Sequence, residues 1–272
     1  MLSAALLVSL APASIPAVAA AEAADAPTRC GTHAWCDPSL PADVRASMVL
    51  AEMTLDEKAA FVGGESLGSN GGLGDTPLSD NPALNRDHTG SSAGIERLGV
   101  PAVFYADGPA AVRQGSSTLL PSPTALAATF DEDSARAYGG VIGTEAKLKG
   151  NDAVFGPTVN MVRTPLNSRL VEAYGEDPYL TSRTGVGWIT GLQGQGVMSV
   201  VKHFAGYNSE GQLPFATGSR VTPLDSVIDE RTLREIYLPQ FEAAVNEAEA
   251  ASVMCSYNKL NGTYACENGP LL

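Results

Sequence analysis

The chain has 272 residues, 44% of them apolar, which is enough for one large domain or two ordinary ones and argues against disorder. Its 17 Lys+Arg stand against 30 Asp+Glu, and the net charge of −13 repels nucleic acid and anionic membrane surfaces but not a neutral small molecule such as a sugar. Three widely spaced histidines and four cysteines without CxxC spacing support no zinc site.

Residues 1–26 read as a signal peptide or apolar leader. A largely apolar run at residues 2–8 is followed by small residues from Ala17 to Ala21, suited to a signal-peptidase site, before acidic Glu22 and Asp25. No Lys or Arg precedes Arg29, so the usual basic start is missing. A secreted, periplasmic or extracellular location is the expectation, and no later stretch reaches 18 apolar residues. In an oxidising compartment four cysteines allow three pairings. The simplest is two local disulfides, Cys30–Cys36 and Cys255–Cys266; four buried thiols is the alternative.

Residues 41–53 carry Val44, Met48, Leu50 and Met53 near helical spacing, and Thr54 with Glu57 at the capping-box position starts a second short helix. The Gly-, Ser-, Asn- and Pro-rich stretch 63–94 reads as a long surface loop. Four strand-then-helix units follow. Strands are expected at 100–106, 153–161, 197–204 and 251–257, and helices at 131–149, 178–193 and 229–249. Repeated βα units require parallel strands, so the fold class is α/β, with about four of the eight units of a TIM-like barrel over residues 27–272.

Polar residues gather at the strand ends. Asp107 closes the first strand; Asn160, Arg163 and Arg169 follow the second; Lys202 and His203 end the third; Tyr257 and Asn258 end the fourth. In a parallel barrel these positions converge on one face. A buried Lys beside a His is costly unless something polar binds both, and opposed carboxylate, guanidinium, ammonium and imidazole groups suit a ligand with many hydroxyls.

The segments 100–109 (VPAVFYADGP), 169–178 (RLVEAYGEDP), 202–204 (KHF), 229–239 (DERTLREIYLP) and 254–262 (MCSYNKLNG) resemble, in order, the successive blocks of glycoside hydrolase family 3. The resemblance covers about residues 40–272 and implies a retaining β-glucosidase that releases glucose or a similar neutral sugar from the non-reducing end of β-linked saccharides, with no metal or organic cofactor required. It implies that Asp107, Arg169, Lys202 and His203 bind hydroxyls of the terminal sugar, and that Met254 and Tyr257 line the same subsite. Glu172, Glu176 and Asp177 are expected to hold the arginines and the loop, with Arg163 behind the sugar contacts. The stretch 163–169 (RTPLNSR) departs from the family's commoner Arg-Asp-Pro-Arg-Trp-Gly-Arg while leaving Arg169 in place.

Retaining glycosidases need two carboxyl groups roughly 5–5.5 Å apart. The family's nucleophilic aspartate follows the block around Tyr257, and its acid/base glutamate lies further on, so no catalytic residue is assigned here. The chain is expected to be part of a longer protein and inactive alone. The hexosaminidase branch usually continues its Lys-His-Phe block as Pro-Gly-His-Gly; here Ala205-Gly206-Tyr207-Asn208 follows, which favours the β-glucosidase/β-xylosidase branch over β-N-acetylhexosaminidase.

Rival motifs fail on context. Gly64-Glu65-Ser66-Leu67-Gly68 fits an esterase elbow but lacks a preceding strand, and the glycines from Gly191 to Gly196 end a helix instead of opening one. A secreted, non-catalytic sugar-binding protein remains the alternative from another class.

Overall fold

A computed structural model describes residues 30–63, 88–167, 169–208 and 224–272. The proposed leader and the GxSxG motif lie outside these, as does the expected surface loop 63–94 apart from its two ends. Eight strands occur among the described residues: β1 (Gly90–Ser91), β2 (Phe104–Asp107), β3 (Ala153–Phe155), β4 (Met198–Phe204), β5 (Asp225–Ser226), β6 (Ser252–Cys255), β7 (Lys259–Leu260) and β8 (Thr263–Tyr264). The main sheet has the order β1-β2-β3-β4-β6, and β5, β7 and β8 form a small second sheet. β2, β3, β4 and β6 run parallel, each neighbouring the next, as expected for successive βα units.

β1 was not anticipated. It sits in the stretch expected to be loop and pairs antiparallel with β2, Gly90 opposite Tyr105. With Gly and Ser it has no strand-like composition, so only the exposed edge of β2 makes it a strand. The first parallel strand begins at Phe104 because Val100 turns back to bridge Ile95. The second ends at Phe155, not at residue 161. Pro157 has no N–H to continue the ladder, and pairing resumes only as a single bridge from Thr158 to Lys202. The last parallel strand stops at Cys255, where the chain enters the Cys255–Cys266 disulfide.

The helices are α1 (Ala42–Glu52), α2 (Leu55–Gly63), α3 (Pro123–Ala127), α4 (Glu132–Leu148), α5 (Pro178–Gln193) and α6 (Pro239–Asn246). Asp131 caps α4 and Asp177 caps α5, each accepting from a backbone N–H of the first turn. At α2 the capping box closes both ways: Glu57 N donates to Thr54 Oγ1 at 3.2 Å, and Thr54 N donates to Glu57 Oε2 at 2.8 Å. The continuous helix expected over 229–249 is broken. A turn at Glu230–Thr232 runs into a π-helical Leu233–Tyr237, and α6 restarts at Pro239. Proline cannot donate to a carbonyl one turn back, so it occupies the first position of a new helix instead.

The core lies between the sheet and α4, α5 and α6. Trp188, Ile189, Leu192 and Ile142 are almost wholly buried there with Val154 and Val201. Each large apolar side chain so buried contributes about 1.5–3 kcal/mol. α4 and α5 touch backbone to backbone. A Cβ at Gly139 would come within 2.0 Å of Trp188 O, and one at Gly191 within 1.9 Å of Arg136 O.

Candidate functional site

At the C-terminal ends of the parallel strands, β2 delivers Asp107 and β4 delivers Lys202 and His203. Lys202 is 2% exposed, and its Nζ lies 3.6 Å from Asp107 Oδ1. Burial pushes the ammonium down to about 8, while Asp107 and Glu172 pull the other way. The group therefore stays mostly charged near neutrality. Asp107 reaches solvent with part of its side chain and is fixed from behind, its backbone N–H donating to Thr89 Oγ1 at 2.7 Å.

His203 is 4% exposed and has a partner on each ring nitrogen. Nδ1 lies 2.8 Å from Asn160 Oδ1, and Nε2 lies 3.1 Å from Arg169 Nη1. Asn160 Nδ2 donates to His203 O at 2.9 Å, and His203 N donates to Asn160 Oδ1 at 3.1 Å. Burial, then Lys202 and Arg169, push the imidazole down to about 2, so it is neutral at ordinary pH.

Arg169 Nη2 binds Glu172 Oε2 at 2.6 Å, and Arg113 Nη2 binds Glu172 Oε1 at 2.5 Å. Thr158 Oγ1 is 3.5 Å from Glu172 Oε2. Burial raises the Glu172 carboxyl, but Arg169, Lys202 and Arg113 together hold it below its ordinary value. Formally the cluster carries two carboxylates and three cations. The expectation that Glu172 holds the arginines matches this geometry, and Asp177 serves as the cap of α5. Arg113 was not singled out from sequence; the loop that returns it, with Arg113 N donating to Asp107 O at 2.9 Å, spans six residues without a periodic signal.

Tyr257 is 58% exposed and reaches the cluster indirectly. Its ring meets Tyr207 edge-on at 6.3 Å between centroids, and Tyr207 lies 4.9 Å from the His203 ring. Tyr207 was also missed as a site residue, although it sits four residues past His203 in the segment Ala205-Gly206-Tyr207-Asn208 used to choose the branch. Met254 is half-buried and faces Lys202 across the β4–β6 register. Arg163 is elsewhere, stacked over the Tyr237 ring at 5.8 Å, beside the satellite cluster of Met161, Leu233, Tyr237 and Leu260. Asn258 is buried and braces loops, its Nδ2 donating to Lys259 O at 2.9 Å. Disulfides join Cys30 to Cys36 and Cys255 to Cys266.

A strand-end cluster of buried, mutually paired charges in this order of blocks has counterparts in known proteins. The family described as "Glycosyl hydrolase family 3 N terminal domain" matches residues 81–272. The chain belongs to glycosyl hydrolase family 3. A Rhizobium radiobacter protein named beta-glucosidase is 46% identical over 189 residues, covering 67% of this chain and 22% of its own length. Thermostable beta-glucosidase B of Acetivibrio thermocellus is 36% identical over 237 residues, covering 82% of this chain and 27% of its own. Among solved structures, beta-glucosidase 3B from Thermotoga neapolitana in complex with glucose superposes with a TM-score of 0.72 at 34% identity, over 80% of this chain and 30% of that one. DesR, a beta-glucosidase from Streptomyces venezuelae in complex with D-glucose, gives 0.69 at 40% identity, over 84% and 26%. The chain thus spans about a quarter of the length of these family 3 relatives, and the α/β architecture of parallel βα units is the one they share with it.

Proposed function

We propose that the chain supplies the sugar-binding subsite of an exported, retaining β-glucosidase, which releases glucose or a similar neutral sugar from the non-reducing end of β-linked saccharides. The observation that carries this reading is the cluster of Asp107, Lys202, His203 and Arg169, whose polar groups converge at the C-terminal ends of β2 and β4. Asp107 accepts hydroxyl protons, the Lys202 ammonium donates, and Tyr257, Tyr207 and Met254 give an apolar wall. Such positioning contributes to the transition state without supplying the reacting carboxylates, which we place outside the chain. The beta-glucosidase names of the relatives and the glucose in two solved neighbours support the sugar class. Two sequence-local disulfides fit an oxidising compartment and so support export behind a leader at residues 1–26.

The test has two parts. Calorimetric titration of the chain with D-glucose is expected to show saturable binding that is lost in Lys202→Met, and no binding to the unsubstituted chain overturns the subsite. Turnover of aryl β-glucosides is expected only from a polypeptide of the relatives' length. Turnover by the 272 residues alone overturns the placement of the carboxylates. If the longer polypeptide binds glucose but hydrolyses nothing, a non-catalytic sugar-binding protein is the answer; preference for aryl β-xylosides or N-acetyl-β-hexosaminides reassigns the branch.

A further inference from the structure

Three Asn-Gly pairs occur in the sequence: Asn70–Gly71, Asn261–Gly262 and Asn268–Gly269. This dipeptide is open to spontaneous deamidation because glycine has no side chain to shield its backbone nitrogen. The glycine nitrogen bonds to the asparagine Cγ, the Cγ–Nδ2 bond breaks, and Nδ2 leaves as ammonia with the proton of the glycine nitrogen. Water then opens the five-membered ring to aspartate or isoaspartate, and it is the only co-reactant. Two groups must first turn towards each other: the side-chain amide and the peptide plane that follows it.

Asn70–Gly71 lies outside the described residues. At Asn261 both reacting groups are held. The pair forms the two-residue loop between β7 and β8, with φ of 51° at Asn261 and 90° at Gly262, the signs of a type I′ turn. Asn261 Oδ1 accepts from Ile228 N at 2.9 Å and Nδ2 donates to Ile228 O at 2.8 Å, so the amide is clasped on both sides. Gly262 N, the attacking atom, donates to Asp225 Oδ1 at 2.9 Å. Ile228 holds the electrophile and Asp225 the nucleophile, so neither bond makes the other redundant, and ring closure has to release both.

Asn268 follows a short 3-10 turn and is held less firmly. Among the described residues its side-chain amide makes one hydrogen bond, Nδ2 donating to Leu260 O at 3.3 Å, and the Gly269 N–H makes none. Gly269 is exposed, and a Cβ there would meet no atom within 4 Å beyond its chain neighbours.

We propose that the fold closes Asn261–Gly262 to deamidation, with Asp225 holding the attacking nitrogen, and leaves Asn268–Gly269 as the pair at which the folded chain ages. The guarded pair is the one whose conversion reaches the candidate site. β5 carries Ser226, whose Oγ donates to Gly206 O at 2.8 Å in the turn just past His203. An aspartate at 261 would lose the donor to Ile228 O and set a negative charge against that carbonyl.

The test follows both pairs in one sample. The chain is kept in mildly alkaline buffer, either folded or in guanidinium chloride, and the segment 259–272 is sequenced over time by mass spectrometry, which assigns the Asn-to-Asp mass gain to 261 or 268. Each pair is thereby compared with its own unfolded rate. Folding is expected to slow Asn261 at least about tenfold more than Asn268, the weight of two extra hydrogen bonds. Equal slowing at both pairs, or greater slowing at Asn268, overturns the proposal. Local opening precedes the chemistry, so Asp225→Ala is expected to speed Asn261 about fivefold while leaving Asn268 within about twofold of its rate. Asp225→Asn keeps an acceptor for Gly262 N and is expected to stay closer to the unsubstituted chain. No acceleration in Asp225→Ala, or the same acceleration in Asp225→Asn, overturns the assignment of Asp225. Should Asp225→Ala not fold, both pairs move to their unfolded rates together, and the contrast between the pairs in the unsubstituted chain decides the proposal.

Discussion

The two flanks of the main sheet invert the usual arrangement of polar and apolar residues. At the ends of β2 and β4, charged Lys202 and Glu172 are buried with His203 and each has named partners. At the β6 edge, Val253 is 40% exposed and Val245 on α6 is 48% exposed, bordering a groove of about 480 Å³ that Phe204, Phe241 and Leu271 also line. α1 and α2 resemble the second flank, with no buried residue in either and Leu55 and Val62 turned outward. The strand-end cluster is therefore internally satisfied, whereas the β6 edge and the α1–α2 face leave Val253, Leu55 and Val62 exposed among the described residues. Charge inside and hydrocarbon outside is a costly distribution for any chain, and each half of it can be tested separately.

The largest effect is expected at the satisfied end. Asp107→Ala strands the buried Lys202 ammonium, and urea denaturation should show a loss of about 3 kcal/mol, the low end for a broken buried pair because Asp107 still touches water. Calorimetry on the same variant should show no glucose binding; unaltered stability and affinity would break the claim that this end is a built site. Next, glucose affinity should fall as pH rises through about 8, where Lys202 loses its proton. The same group works oppositely on folding. Its folded pKa lies below the ordinary 10.5, so the native state sheds the proton first and stability from this group rises between about 8 and 10.5. His203 gives a second window: it is neutral when folded down to about 2 and charges at 6.5 when unfolded, so stability is lost as pH falls below 6.5. Thermal melts from pH 4 to 10 check both signs.

On the uncovered side the effects are smaller. Thr54→Ala opens the capping box of α2, a helix held by local polar contacts and by the Glu57–Arg97 pair at 2.6 Å, and should cost about 1 kcal/mol in denaturant titration. Smallest of all, Val253→Lys should change stability by no more than about 0.5 kcal/mol while reducing self-association in sedimentation. A loss of several kcal/mol there would mean that the β6 edge packs inward and that the contrast between flanks is wrong.

Much of this was readable from residues because local chemistry decides it. Helix α5 follows from Asp177, Pro178 and an apolar stripe that ends at glycines, and the α2 cap from Thr54 and Glu57. Asp107, Lys202 and His203 stood out because polar residues at the end of an apolar run have nowhere else to go in a parallel sheet. What failed depended on neighbours distant in sequence. β1 exists only because β2 has an edge to pair with, and the broken helix before α6 was misread because apolar periodicity outweighed one proline. Arg113 and Tyr207 join the cluster through loop closures that leave no period in the sequence.

The glycine seam between α4 and α5 reaches further than the core it closes. α4 connects β2 to β3 and α5 connects β3 to β4, so the gap between these two helices sets how far apart their strands sit. A methyl group at Gly191 has no free volume and would wedge the helices apart. The tolerance of the Asp107–Lys202 separation is thus set on the opposite side of the sheet, by two residues that have no side chain at all. Directed evolution for sugar affinity should find this seam immutable, and the adaptable positions elsewhere.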